Sequence, residues 1–353
     1  MTAPTGPSSD PAELPLEVIV SRTLGADAPV QLAELMPTLA EDLSDIDRRL
    51  QGVLRAQYPQ LTDAATYACN TGGKRVRPLL MAALCRALGG DSTRPIHSLA
   101  AAFQLIHTAS LVHDDVIDHA EMRRGRPSVP RAFGLPAAIV TGDYLFVRAF
   151  ELAADYPRAI ILRCGEACAD LVEGEVLQES SRFDLTSGRE HYFRVIERKT
   201  ASIVAAALAS VAEISGAPGA VIDACSTFGR ALGIAFQLRD DLLDVVGDPD
   251  LLGKPLYADF REGNPTLISL EAYQRLEARK KAEFERLFAL RRKQPGDLLR
   301  LRTLAQESGA AELVAAEASE WAERAVRAIE PIPPSPYHAL LDRLARGAAA
   351  RPF

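Results

Sequence analysis

The sequence predicts an all-α protein, one large helix bundle, and three observations carry that prediction. Apolar residues recur at spacings of three and four along almost the whole chain, the period of a helix face. The apolar/polar alternation that marks a half-buried strand is scarce. No linker-like stretch divides the chain, so residues 26–353 read as one helical domain. The lead-in at 1–25, rich in Pro, Ser and Thr from Met1 to Leu14, reads as disordered.

Taken in order, the stripe Leu32, Leu35, Leu39, Leu43, Ile46, Leu50 and Leu54 predicts one or two opening helices over 30–54, broken at Pro37. Pro59 interrupts the pattern and a helix resumes over 61–68. Asn70-Thr71-Gly72-Gly73 ends it with residues that tolerate positive φ. Past Pro78, residues 79–88 read as a buried helix closed by Gly89-Gly90, and 96–117 as a long, nearly all-apolar one. Residues 121–130 read as a basic loop. Helices with Ala-rich faces follow at about 135–153, 158–180 and 189–215, then 220–246 after the Pro218-Gly219 turn. Residues 253–265 read as a loop. Further helices are expected near 267–291, 296–307, 310–329 and 336–347, separated at Pro295 and at Pro331-Ile332-Pro333-Pro334.

Composition narrows the function. A net charge of −7 opposes non-specific nucleic-acid binding. No run approaches eighteen consecutive apolar residues, so no transmembrane helix is predicted. The N-terminus lacks the basic-then-apolar layout of a signal peptide. The five cysteines, Cys69, Cys85, Cys164, Cys168 and Cys225, lie in apolar segments without a zinc-type partner set, and read as reduced core thiols of a cytoplasmic protein.

The chemistry lies in two acidic motifs. In Leu111-Val112-His113-Asp114-Asp115-Val116-Ile117-Asp118 the spacing puts Asp114 and Asp118 on one helix face, with Asp115 turned about 100° away. Like charges at that spacing cost about 0.2–0.5 kcal/mol even on a solvated helix. Burying them costs far more unless a cation sits between them. One such motif alone reads as a solvated acidic face. Here its neighbours Ile106, Leu111, Val112, Val116 and Ile117 are apolar, and the pattern returns as Phe236-Gln237-Leu238-Arg239-Asp240-Asp241-Leu242-Leu243-Asp244. Two apolar helices so marked point to a hard-cation site shared between facing helices.

Cationic features accompany them. Gly72-Gly73-Lys74-Arg75-Val76-Arg77-Pro78 sets three cations behind two glycines at a helix start, where an oxyanion can approach free N–H groups and a favourable dipole. Arg123-Arg124-Gly125-Arg126-Pro127 repeats the idea with arginines suited to bidentate phosphate contact. His107 lies two turns before Asp114 on the same face, Lys199 and Thr200 interrupt an apolar helix, and Gln237 shares a stripe with Asp240, Asp241 and Asp244. The plainer readings are a basic surface turn for the first cluster and a hydrogen-bonded core residue for His107. The chain has no P-loop, no dinucleotide glycine motif and no convincing nucleophile–base triad. Mg²⁺ takes oxygen ligands, one or two carboxylates plus substrate phosphates. The inventory therefore points to departure of a diphosphate, with metals and cations taking up the developing charge.

At this point the chain resembles the trans-isoprenyl diphosphate (polyprenyl) synthases, in particular the medium- and long-chain bacterial ones. The match runs from about Leu43 to Leu270 and more weakly to the C-terminus. Its landmarks are GGKRVRP (72–78), IHTASLVHDDVIDHAEMRRGRPS (106–128), GDYLF (142–146), GEVLQ (174–178), RKTASI (198–203), FQLRDDLLD (236–244) and GKP (253–255). The resemblance implies an isoprenoid synthase-like bundle whose acidic motifs face each other across a central cavity, in a homodimer. It implies that Lys74, Arg77, His107 and Arg124 hold isopentenyl diphosphate. Asp114, Asp118 and Asp240, with Asp115 and Asp244 in support, would bind Mg²⁺, three ions per active site with substrate present. Arg123, Lys199, Thr200, Gln237 and Lys254 would contact the allylic diphosphate primer, and Asp241 would complete the catalytic set with the other aspartates and Lys199. The implied reaction is ionisation of the allylic diphosphate, attack by the isopentenyl double bond and proton loss to the departing diphosphate. The product could then need a membrane or carrier for its release.

Two departures stand out. Members of the family often carry Gly-Lys before Thr-Leu-Pro, where this chain has Gly263-Asn264-Pro265-Thr266-Leu267-Ile268, and the C-terminus offers only Arg351 to cover a closed site. One turn before Asp114 stand Ala109 and Ser110, both small; bulky aromatics there close the tunnel early in this family, so an all-trans product of about six to ten units is expected, each helix turn adding about 5.4 Å of depth. A stop further down is expected at Phe103 or Phe146. Geranylgeranyl diphosphate synthesis is the alternative product reading. A regulatory subunit of a two-component synthase and a class I terpene cyclase are the rival readings, and the intact acidic and basic sets oppose both.

Overall fold

Pro37 stands in the first turn of a helix, and the part of the predicted 30–54 stretch before residue 34 lies outside the described residues. Proline fits the first turn of a helix, where its missing N–H costs nothing, and α1 (Met36–Gly52) buries Leu39, Leu43, Ile46 and Leu50 along one face. The fold is that of a computed structural model, which describes residues 34–70, 75–90, 93–247 and 256–350. The lead-in at 1–25, Gly72, Gly73, Lys74, Gly253, Lys254, Pro255 and Arg351 lie outside the described residues.

The predicted all-α class holds. After α1 come α2 (Pro59–Cys69), α3 (Val76–Ala87) and, past a 3₁₀ turn, α4 (His97–Ile117), whose interior face is buried almost without interruption from Leu99 to Ile106. The basic loop tightens into a two-stranded hairpin, β1 (Met122–Arg123) and β2 (Arg126–Pro127), with Arg123 opposite Arg126. Its two-residue turn has positive φ at both Arg124 (53°) and Gly125 (76°), the backbone that such hairpins demand. Then follow α5 (Val129–Phe133), α6 (Leu135–Ala153), α7 (Arg158–Ser180), α8 (Gly188–Ile196), α9 (Ser202–Ile214), α10 (Gly219–Val246) and α11 (Ala258–Glu262). Helices α8 and α9 are joined by a π turn, Glu197–Ala201, within the single helix that periodicity predicts at 189–215.

The helix predicted at 267–291 is two, α12 (Leu267–Arg275) and α13 (Ala278–Phe288), because Leu276 and Glu277 are extended. No Pro or Gly marks this break; the bend accompanies burial of Leu276, Phe284, Leu287 and Phe288 in one apolar cluster. The chain ends with α14 (Pro295–Glu307), started by a Gln294/Asp297 capping box, α15 (Ala310–Ala328) and α16 (Pro336–Ala350).

Two apolar clusters organise these helices. One surrounds α4 with α1, α3, α6 and α9; the other surrounds the second half of α10 with α12 to α15, and Trp321 packs against both. Glycines permit the closest approaches: a Cβ at Gly233 would stand 2.6 Å from Ala201 Cα, and one at Gly229 would stand 2.7 Å from Ala205 Cα, so α10 lies directly on the π turn and α9. Among the described residues α10 alone is long and apolar enough to cross a membrane, but it packs between α9 and α15 and carries the second acidic motif, as a core helix does. The five cysteines are free; burial pushes the thiols of Cys69, Cys164 and Cys225 up to about 12, and that of Cys168 to about 11, which leaves them unreactive.

Candidate active site

The first acidic motif closes α4. Asp114 and Asp115 lie in its last turn and Asp118 is its C-terminal cap, at the negative end of the helix dipole, where a carboxylate needs a cation. Each has one. Lys199 Nζ lies 3.7 Å from Asp114 Oδ1 and also pairs with Glu175. Arg123 donates from Nε and Nη2 to Asp115 Oδ1 at 2.8 and 2.6 Å. Arg182 Nη2 donates to Asp118 Oδ1 at 2.6 Å.

Lys199 and Thr200 sit in the π turn, a distortion that often accompanies functional sites. Gly174 lets α7 reach it, since a Cβ there would stand 2.6 Å from Lys199 N. Burial raises the Asp114 carboxyl to about 6 against the pull of Lys199, with Glu175 and Asp118 adding repulsion. Burial also works against the Lys199 ammonium, but Asp114 and Glu175 outweigh it and hold the group above its usual range.

In the second motif Asp240 is half-buried, while Asp241 and Asp244 are buried. Tyr192 donates its hydroxyl to Asp241 Oδ2 at 2.6 Å, and Gln237 Nε2 donates to Asp241 Oδ1 at 2.7 Å. Gln237 Oε1 in turn accepts from Thr200 Oγ1 at 2.9 Å. Three residues singled out in sequence thus form one chain with each other. Burial lifts Asp241 to about 7 against those two hydrogen bonds, with Asp240 and Asp244 adding repulsion. Asp244 Oδ2 accepts the Asp259 N–H at 3.1 Å.

One side chain ties the motifs together in space. Glu262, in α11, is raised to about 7 by burial and then by Asp118, with Asp244 adding to it, while Arg182 and Asn264 pull it down. Lys199 on Asp114 and Thr200 on Gln237, adjacent residues of the π turn, bring the two acidic motifs to one seam. Asp259 is raised well above the carboxylate range by burial, then by Asp244, Asp241 and Glu262. Among the described residues no three His, Cys, Asp or Glu side chains are drawn together as a ready-made metal cage. An all-oxygen donor set with an excess of buried negative charge suits Mg²⁺, which completes its shell from substrate phosphates.

A basic corner adjoins α4 at His107, two turns before Asp114. The His107 imidazole is held well below its ordinary value by burial and by the Arg77, Arg124 and Arg123 guanidinium groups, so it is neutral at pH 7. Burial and Arg124 lower Arg77 to about 10, and its buried Nε has no hydrogen-bond partner among the described residues. A donor left over in so positive a corner calls for an anion. Ala109 is fully buried and Ser110 buried, the latter donating to His107 O at 2.9 Å. Phe103 is fully buried, and Phe146 lies with its ring centroid 6.0 Å from that of His113.

The structure adds Glu175, Arg182, Tyr192, Asp259 and Glu262 to the residues read from sequence. Glu175 lies inside the GEVLQ landmark, beside the glycine that brings α7 against Lys199. The others carry no local signal, since their neighbours along the chain are not their neighbours in the site.

The Polyprenyl synthetase family model matches residues 58–304. A curated relative, heptaprenyl diphosphate synthase component 2 of Geobacillus stearothermophilus, is 37% identical over 245 residues, covering 69% of this chain and 76% of that protein. The crystal structure of polyprenyl synthase from Caulobacter crescentus CB15, complexed with calcium and isoprenyl diphosphate, is 34% identical with a TM-score of 0.86, and covers 91% of this chain and 98% of its own. That of a decaprenyl diphosphate synthase from Rhodobacter capsulatus gives a TM-score of 0.85 at 34% identity, over 91% of this chain and 99% of its own. With a match over most of its length and two acidic motifs meeting at one seam, the chain belongs to the polyprenyl synthetase family and is a prenyltransferase that makes trans-polyprenyl diphosphates.

Proposed function

We propose that the chain condenses isopentenyl diphosphate head-to-tail with an allylic diphosphate held between the two acidic motifs. The observation that supports this most is the seam itself: Lys199, Arg123 and Arg182 each hold one carboxylate of α4, and Thr200, next to Lys199, is hydrogen-bonded to Gln237 of α10. Asp114, Asp118 and Asp240, supported by Asp115 and Asp244, are the ligands for Mg²⁺, three ions in the loaded site. When bound, Mg²⁺ offsets the charge that builds on the departing diphosphate. Lys199, on a stem clamped between α7 and α10, aligns that diphosphate together with Lys254. Thr200 and Gln237 orient it through the chain that ends on Asp241, whose buried position makes it a positioning residue. Arg123 serves the allylic site through its hold on Asp115.

Lys74, Arg77, His107 and Arg124 receive isopentenyl diphosphate, and a neutral His107 donates one hydrogen bond without adding charge. The allylic C–O bond breaks and its electron pair leaves with the diphosphate. The isopentenyl double bond supplies the electrons of the new C–C bond, and the proton then lost passes to the released diphosphate. No side-chain base is required, which agrees with the absence of a candidate in the sequence.

We read residues 26–353 as one working unit, since Trp321 packs against both apolar clusters. The free cysteines suit a cytoplasmic location. The outer faces of α6 and α7 expose Ile139, Val140 and Val147 and Leu162, Val172 and Val176, more apolar surface than a solvated helix pair needs, and we assign it to a homodimer contact. The heptaprenyl relative's name, as one component of a synthase, keeps open a second chain at that face. Sedimentation of the purified chain alone at twice its own mass supports the homodimer, and a monomer excludes it.

Small residues at Ala109 and Ser110 support a medium- to long-chain product of about six to ten units, reached over successive helix turns of about 5.4 Å. Ala109→Phe should shift the product ladder to short chains while the first condensation continues. Chromatography of labelled products decides, and an unchanged ladder removes this gate from the account.

Asp114→Asn gives two readouts of opposite sign. As a ligand, Asp114 acts in the transition state, so kcat should fall about 100-fold or more while KM changes little. As a buried acid raised to about 6 from an ordinary 3.8, it binds its proton more tightly folded than unfolded. Its contribution to stability is therefore full below the ordinary value and is lost as pH rises through about 6. The metal-free Asn variant should melt a few degrees higher than the parent at neutral pH and no higher at pH 4. Near-normal kcat, or a lower melting temperature at neutral pH, would contradict the assignment.

A further inference from the structure

Arg182 stands two residues past the end of α7, outside both acidic motifs, yet it reaches the seam between them. Its Nη2 is 2.6 Å from Asp118 Oδ1 and its Nε is 2.5 Å from Glu179 Oε1. The guanidinium is one of the charges that Glu262 feels, alongside Asp118 and Asp244. These contacts use only part of its five N–H donors.

The backbone beneath it is clasped. Phe183 adopts φ +67° and donates its N–H to Gly263 O at 2.7 Å, and its ring occupies the space where a Cβ on Gly263 would come within 2.4 Å. Arg291 and Lys293 cover the same ring at 4.2 and 4.9 Å from its centroid. On the facing loop Asn264 brings no charge, and its Nδ2 is spent on Glu262 Oε2 at 3.0 Å and Asp259 Oδ1 at 3.2 Å. Among the described residues at this edge of the seam, Arg182 is the cation paired with the first acidic motif.

We propose that Arg182 is a further diphosphate-binding residue, which neutralises Asp118 in the substrate-free chain and transfers its guanidinium to the allylic diphosphate when Asp118 turns to a divalent cation. The inference rests on the reading of the seam as the allylic diphosphate site. Coordination of a cation by Asp118 neutralises the charge that holds the guanidinium, and the half-buried Arg182 then gains from a new anion close by. The Phe183 clasp keeps the backbone of Arg182 in place, so only its side chain has to move. Arg suits the new partner because its planar fork matches two phosphate oxygens at once.

Calorimetric titration of the full chain with inorganic diphosphate in the presence of Mg²⁺ tests this without turnover. Arg182→Gln should weaken diphosphate binding about tenfold and raise KM for the allylic substrate by a similar factor, leaving KM for isopentenyl diphosphate within about twofold. Arg182→Lys should recover part of the affinity, which a merely structural ion pair does not require. Arg182→Met, which keeps the packed stem, takes the place of the Gln variant if that variant does not fold, with the same expectation. Parental diphosphate affinity, or equal weakening of both substrates, overturns the proposal. Asp114→Asn in the same titration separates the two claims: loss there with none in Arg182→Gln removes Arg182 alone, whereas no loss in either removes the reading of the seam.

Discussion

Buried like charge is the constraint on which this structure turns. Two helices with apolar flanks bring carboxylates to one seam, and a helix C-terminus makes the first set worse rather than better. Such an arrangement is tolerable only with cations at hand. Lys199, Arg123 and Arg182 come from three separate elements, the π turn, the hairpin and the segment after α7, and each meets one carboxylate of the first motif. The cations do not cancel the burden. Asp114, Asp241 and Glu262 still sit near 6 or 7, so the site carries a standing demand for further positive charge.

The rest of the fold delivers these groups to one place. Gly174 admits α7 to the Lys199 backbone and Gly233 admits α10 to Ala201, so the π turn is gripped from both sides. That grip holds Lys199 beside Asp114 of α4 and Thr200 on Gln237 of α10. Two turns back along α4, Arg77, Arg124 and Arg123 crowd a neutral His107. One helix thus carries a corner in want of an anion beside a seam in want of cations, which suits a reaction between two diphosphates.

Much of this was legible in the chain. Helical periodicity located nearly every element, and the repeated acidic motif on apolar helices pointed to a shared cation site. The misreadings have physical causes. The break at Leu276 carries no Pro or Gly and comes with the burial of its own cluster. The basic loop is a hairpin since Arg124 adopts a left-handed conformation that no arginine advertises. Asp241, alike in spelling to Asp115, is locked by Tyr192 and Gln237, and that difference depends on a tyrosine 49 residues away. Arg182, Asp259 and Glu262 were invisible because their roles arise from contacts across the fold.

The central claim is that both acidic motifs serve one cation site that is completed by a diphosphate. Crystals grown with Mn²⁺ and inorganic diphosphate test it most directly through anomalous diffraction. The account predicts metal peaks bridging Asp114 and Asp118 to the diphosphate and others bridging Asp240 to the same anion, with Lys199 on its oxygens. Peaks on one motif only, or metal bound at both with the diphosphate elsewhere, would contradict it.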